Sequence, residues 1–204
     1  MPTIRLADEA DAAEILAIYA PFCAADSHVS FEFEPPTIEA MRGRIARTLE
    51  RFPWIVGLDD SGAVLGYVYA GPHSDRAAYQ WSVNVSVYIA EGRRGTGVGR
   101  ALYASLFATL ALQGFVNAYA GATLPNPASV GLHEAVGFEP VGVYRRVGFK
   151  AGTWRDAAWW QRALRDRPDH PTPPLTLAEA QALPSWSTAL GAGLALLRPP
   201  ADGP

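Results

Sequence analysis

Residues 86–100 read Ser86-Val87-Tyr88-Ile89-Ala90-Glu91-Gly92-Arg93-Arg94-Gly95-Thr96-Gly97-Val98-Gly99-Arg100. The stretch opens as the end of a strand. Val83, Val85, Val87 and Ile89 point to one face, and Ser82, Asn84, Ser86 and Tyr88 to the other. It then passes through a turn spaced by Gly95, Gly97 and Gly99, and leaves as an apolar helix predicted over 98–113, which Gly114 ends. Glycines let the backbone turn tightly and let a ligand approach its N–H groups. The helix start adds unpaired donors and the positive end of a macrodipole. No Asp or Glu occurs between Glu91 and Glu134, whereas Arg93, Arg94 and Arg100 cluster at the turn. A phosphate-bearing ligand suits such a site.

Two familiar phosphate binders are excluded. Of the 17 basic residues, the only lysine is Lys150, so the P-loop pattern with its lysine is absent. A dinucleotide fingerprint needs a third glycine where Leu102 or Arg100 stands, and its acidic residue is missing. A tight strand-to-helix turn without a ligand stays open.

Outward from this segment, strands and helices alternate, which predicts a mixed α/β domain. A strand over 3–6 precedes a helix opened by Asp8 and ended by Pro21. Residues 27–36 read as a loop or short extended piece, and Thr37 starts a second helix running to about Arg51. Strands over 54–58 and 64–70 are joined by a hairpin at Asp59-Asp60-Ser61-Gly62, and a further strand covers 81–89. After the glycine turn come a strand over 116–123, a short helix from Asn126-Pro127 to Gly137, and a hairpin of strands over 138–149 and 153–163.

The chain has 204 residues, 49% hydrophobic and 18% charged, with a net charge of -3, which excludes a disordered chain and argues against a dedicated nucleic-acid binder. One cysteine, Cys23, excludes an intrachain disulfide and a cysteine-rich metal site, so no metal is expected. The first residues lack a secretory pattern and the apolar stretches are interrupted, so no membrane span and a cytoplasmic protein are expected. Composition shifts near Arg167: residues 168–204 hold 8 of the 17 prolines, yet Trp186, Leu190, Leu194, Leu196 and Leu197 are too apolar for a free linker. Thr176-Leu177-Ala178-Glu179 is a capping box that predicts a short helix. The expected organisation is a domain over 1–167 and a Pro-rich extension over 168–204, packed on the domain or on a partner subunit.

Arg94-Gly95-Thr96-Gly97-Val98-Gly99 matches the [QR]-x-x-G-x-[GA] signature, and here the chain resembles the GNAT acetyltransferases. Further segments are similar to the phosphinothricin N-acetyltransferase subfamily. They are Val29 to Pro35, Ala70-Gly71-Pro72 with Arg76 and Tyr79 to Trp81, Leu124 to Pro127, Leu132 to Phe138, and Val147 to Lys150 with Trp154. The resemblance spans roughly residues 3–165. It implies the acyl-CoA N-acyltransferase fold, a splayed central mixed β-sheet flanked by helices. It also implies acetyl-CoA as co-substrate, a small amine or amino-acid acceptor, and a homodimer.

Acetyl transfer from a thioester to an amine needs an anchored donor, hydrogen-bond donors for the thioester oxygen, a neutral amine, and a proton for the departing thiolate. By resemblance, Arg94, Gly95, Thr96, Gly97, Val98, Gly99 and Arg100 hold the pyrophosphate, and the backbone of Val87, Tyr88 and Ile89 holds the pantetheine arm. The resemblance adds CoA contacts at Asn126 and Ser129, although Asn126 before Pro127 is equally a helix cap. His133 shares their helix face and stands where many relatives carry the thiolate-protonating tyrosine; a packed histidine is the alternative. The subfamily's glutamate base falls on Asn84, whose amide cannot take a proton at neutral pH. Glu32 through water, His133, or no single residue remain as substitutes, and Asn84 itself can orient a water or the amine. Phe31, Arg76 and Tyr79 match the acceptor side, Arg76 offering a fork for a carboxylate or phosphinate or else a solvated charge. Ser74-Asp75 depart from the subfamily's basic residues there, which bears on phosphinothricin as the acceptor. Two other readings stay open: an acetyl-CoA-binding protein with weak or lost catalysis, and a peptide N-acetyltransferase.

Overall fold

The computed structural model describes residues 1–197. Seven strands form one mixed sheet in the order β1-β2-β3-β4-β5-β7-β6. They are β1 (Thr3–Leu6), β2 (Trp54–Leu58), β3 (Val64–Pro72), β4 (Ser82–Ile89), β5 (Asn117–Thr123), β6 (Glu139–Lys150) and β7 (Thr153–Ala163). Of the six pairings only β4–β5 is parallel. Its register runs Ser82–Asn117, Val83–Ala118, Asn84–Tyr119 and stops there. β4 goes on pairing with β3 as far as Ile89, and β5 with β7 as far as Thr123. The sheet therefore splits into a V whose vertex is the Asn84–Tyr119 pair.

Alternation along β4 feeds two cores. On one face α3 (Val98–Gln113) buries Leu102, Leu106 and Leu110 completely, against Ile55, Val68, Val83 and Val85. Each such leucine contributes about 1.5–3 kcal/mol of burial. On the other face α1 (Ala12–Cys23) and α2 (Ile38–Leu49) cover Trp54, Val56 and Tyr67 with Ile15, Tyr19, Met41 and Ile45. Tyr88 belongs to this second face, edge-on to Tyr19 at 5.0 Å. The helix α4 (Pro127–Ala135) follows β5.

Local signals set the ends. Asp8 caps a short 3-10 turn, Glu9–Asp11, whose Asp11 is held by a two-pronged ion pair from Arg5. Pro21 does not end α1, as the sequence suggested; the helix runs to Cys23. A proline removes only its own N–H bond, and a last half-turn survives that loss. The second helix stops at Leu49, short of Arg51.

The C-terminal segment packs on its own chain. Its α5 (Leu177–Gln181) starts at the Thr176–Glu179 capping box, and α6 (Trp186–Leu190) leads into a 3-10 turn, Gly191–Leu196. These lie along α3: Leu177, Ala180 and Leu197 are buried, and the Gly193 N–H donates to Ser105 Oγ at 3.1 Å. A Cβ on Gly193 would collide with the Ala101 carbonyl, so only glycine permits this approach. Among the described residues, no helix is long and apolar enough to cross a membrane.

Candidate active site

The glycine turn delivers a bare helix start. Gly95 and Gly97 have φ of 76° and 93°, left-handed values that favour glycine. Gly97 is the N-cap of α3 and, lacking a side chain, leaves the first-turn donors free of a side-chain cap; that turn holds no acidic residue. Ala101 is the first N–H to close back, onto Gly97 O at 3.0 Å. Gly99 serves packing instead: a Cβ there would come within 2.8 Å of Leu132 on α4. The three arginines divide. Arg93 pairs with Asp59 at 3.3 Å, Arg94 lies over the Phe22 ring at 5.3 Å while staying exposed, and Arg100 is exposed in the first turn of the helix. Thr96 Oγ1 donates to Arg93 O at 2.7 Å and pins the turn. Of the three arginines, Arg93 is thus taken up by an ion pair within the fold, and Arg94 and Arg100 stay open to a ligand.

Below the turn, the β5-facing edge of Val87, Tyr88 and Ile89 has no ladder partner, because pairing stops at Asn84. The V mouth thus offers backbone groups beside the free helix start, a fit for an extended chain ending in a diphosphate. Asn126 caps α4, its Oδ1 accepting from Ser129 N–H at 3.1 Å. That consumes one lone pair and leaves its NH2 free for a ligand. Ser129 is half-buried.

His133 is 4% exposed, within an aromatic cluster of Tyr103, Phe138 and Trp160. Its Nε2 is 3.2 Å from the Tyr103 hydroxyl. Burial lowers its pKa to about 4 and raises that of Tyr103. At pH 7 the ring is neutral, so it offers hydrogen bonding and holds no stored proton for a thiolate.

Glu32 gives both carboxylate oxygens to Arg44, at 2.9 and 3.2 Å. The sequence offered it as a water-linked base; a fully engaged carboxylate serves better to position Arg44. Its loop is fastened by Lys150, which is 2% exposed and donates to the carbonyls of Cys23, Ser30 and Glu32 at 3.2, 2.7 and 2.6 Å. The Phe31 ring covers Gly148, where a Cβ would lie 2.5 Å from it. Neither Arg44 nor the clamp was expected from sequence; a buried lone lysine following an apolar strand was the available signal.

Two clefts flank the vertex on the Tyr88 face. One, of about 310 Å³, has Arg44, Arg47 and Tyr69 on its walls and reaches Gly71 and Pro72. The other, of about 250 Å³, holds Pro72, Ser74, Asp75, Arg76 and Tyr79. Arg76 is exposed at the start of a 3-10 turn, Ala77–Tyr79. Next to Pro72, which lines both clefts, His73 reaches Asn84, its Nδ1 2.9 Å from Asn84 Oδ1. Sequence reasoning passed over His73. Only the strand order, which carries the end of β3 beside Asn84, brings it into the site. Among the described residues, no three His, Cys, Asp or Glu side chains gather as a metal site.

Comparison with known proteins places this geometry. A profile for the acetyltransferase (GNAT) domain matches residues 4–159. Phosphinothricin N-acetyltransferase of Streptomyces viridochromogenes is 37% identical over 174 residues, covering 85% of this chain and 94% of the relative. The L-methionine sulfoximine/L-methionine sulfone acetyltransferase of Pseudomonas paraeruginosa is 35% identical over 164 residues, 79% of this chain and 94% of the relative. Among solved structures, a phosphinothricin acetyltransferase from Sinorhizobium meliloti in complex with AcCoA superposes with a TM-score of 0.78 at 33% identity, covering 86% of this chain and 98% of the other.

Proposed function

From the premise that this chain belongs to the GNAT family and is an acetyl-CoA-dependent N-acetyltransferase, we propose that its acceptor is the amino group of a small amino acid or analogue of the phosphinothricin and methionine sulfoximine kind. The observation that carries this is the V at Asn84–Tyr119, with arginine-bearing clefts on its Tyr88 face. The backbone of 87–89 and the donors of 95–100, with Asn126 and Ser129, hold the CoA moiety. The clefts take the acceptor, and Arg47 and Arg76 offer its carboxylate or phosphinate planar forks, while Arg44, its own fork held by Glu32, adds positive charge to the wall. Volumes of 250–310 Å³ suit an amino acid and are small for a peptide. The Lys150 clamp on the 30–32 loop also opposes an open peptide groove.

A homodimer fits the edge of the sheet. β6 ends the sheet and exposes Val141, Val143, Tyr144, Val147 and Phe149, with Trp154 beside Phe149. Large apolar side chains left exposed in this number along an edge strand fit an interaction surface. Cytoplasmic action fits a CoA-dependent reaction and the unpaired, buried Cys23. Residues 168–204 are read as an appendage to a family domain over 1–167; residues 198–204 lie outside the described residues.

The test is thiol release from acetyl-CoA with phosphinothricin, methionine sulfoximine, methionine sulfone and their decarboxylated counterparts. The expected result is turnover with the acids and at least a tenfold lower kcat/KM without the carboxylate. A CoA-binding protein that gives no turnover with any amine would support the non-catalytic reading, for which the amide at Asn84 is the argument.

A further inference from the structure

We propose that His73 is the general base of the acetyl transfer and that Asn84 is its positioning residue; this rests on the acyl-transfer reading above. The side chain of Asn84 has two polar ends. Its Nδ2 faces the Pro72 carbonyl at 3.4 Å, and a carbonyl only accepts, so the amide NH2 must lie on that side. Its oxygen therefore faces His73 Nδ1, 2.9 Å away, and that nitrogen must carry the proton. The neutral imidazole is held as the Nδ1–H tautomer with its lone pair on Nε2, the atom able to take a proton.

The ring is also fixed in place. It stacks on Tyr119, with centroids 4.3 Å apart, and leans on Tyr79 at 5.5 Å. The titratable groups facing it are thus two phenols, from β5 and from the 77–79 turn. The residue opposite Asn84 on β3 is Gly71, and a Cβ there would meet nothing within 4 Å, so the space above Asn84 is open on that side. His73 binds to one member of the vertex pair and stacks on the other. Pro72, its neighbour, lines both clefts. For this role, an amino group moving from either cleft toward a thioester in the V must come within reach of Nε2. Among the described residues, His73 is the histidine so placed: His133 is sealed in the core, and His28 bonds to the Pro125 carbonyl.

The step balances without another reagent. Nε2 takes one proton from the acceptor's ammonium group. The freed nitrogen lone pair forms the C–N bond at the thioester carbonyl, and the C–S bond breaks with its electron pair on sulfur. The second nitrogen proton goes to that sulfur, giving amide and thiol, and His73 releases its proton to water.

The test compares wild type with His73→Phe, which keeps the stacking on Tyr119, and with His73→Gln. General-base loss predicts a fall of about 10²–10⁴-fold in kcat/KM for the amine, with CoA affinity by calorimetry within twofold of wild type. It also predicts loss of the imidazole limb from the pH–rate profile. Asn84→Glu in the His73→Phe background restores a base at the vertex and recovers at least tenfold. If the variants do not fold, ¹⁵N-histidine NMR of the wild type decides: one of the four histidines must show the neutral Nδ1–H form and must lose it in Asn84→Leu. Wild-type kcat/KM and pH profile in His73→Phe, or only Nε2–H tautomers by NMR, would overturn the proposal while acetyl transfer stands. A wild-type chain inactive on every amine would overturn both.

Discussion

Lys150 Nζ donates to the Glu32 backbone carbonyl across 2.6 Å, joining the β6–β7 turn to the loop that carries Phe31 and Glu32. The ammonium is buried, and carbonyl dipoles of Phe22, Cys23 and Ser30 also face it. A buried cation without such acceptors would be costly. The chain's only lysine therefore acts as a clamp on the acceptor side.

Replacing Lys150 by Met removes the donor and leaves several buried carbonyls unpaired. Each such group costs about 1–3 kcal/mol. Urea unfolding should show a loss of at least that size. In steady-state kinetics the KM for the amine should rise at least fivefold, with the KM for acetyl-CoA within twofold. Equal rises in both would contradict a clamp specific to the acceptor loop.

His133 titrates in the unfolded chain near its ordinary value of about 6.5, but at about 4 when folded, because burial disfavours the cation. Between those values the unfolded chain binds the extra proton, so stability falls as pH drops from 6.5 toward 4. The full difference is about 3 kcal/mol, from roughly 1.4 kcal/mol per unit. Chemical denaturation at pH 7 and pH 4.5 should show this loss, and His133→Asn should flatten it. A wild-type stability that is level from pH 7 to 4.5 would contradict the burial argument.

Gly193 lies on the Ala101 carbonyl, and a Cβ on Gly97 would come within 3.0 Å of the Leu196 carbonyl. The C-terminal segment thus braces the start of α3. Gly193→Leu should push it away and raise the KM for acetyl-CoA three- to tenfold, while kcat/KM for the amine at saturating acetyl-CoA changes less than twofold. An unchanged KM for acetyl-CoA would show that the brace does not reach the turn.

Tyr144 is 60% exposed on the edge strand β6. Tyr144→Glu should place a charge on the proposed interface edge and shift sedimentation from dimer toward monomer. A wild type that sediments as a monomer would remove the dimer proposal.

Much of the fold was legible because its decisive signals are local. Period-two alternation over 82–89, glycines at 95 and 97 and the apolar run of α3 each act within a few residues. So do the caps at Asp8, Thr37, Asn126 and Thr176. What stayed hidden depends on which strands become neighbours. Arg93 reads as one of a cluster of arginines at the turn until the β2–β3 turn brings Asp59 to it. His133 reads as a proton donor or a packed histidine until Tyr103 and Trp160 are seen to enclose it. His73 reads as a loop residue until β3, β4 and β5 align Gly71, Asn84 and Tyr119 side by side. The docking of residues 177–197 on α3 shows in their apolar content but not in its target.

The most direct test of the account is mass spectrometry of the acceptor after incubation with acetyl-CoA and the purified chain. Methionine sulfoximine should gain one acetyl group on its α-nitrogen, with one free thiol formed per amide. Thiol release without amide, or an acceptor recovered unchanged, would contradict it.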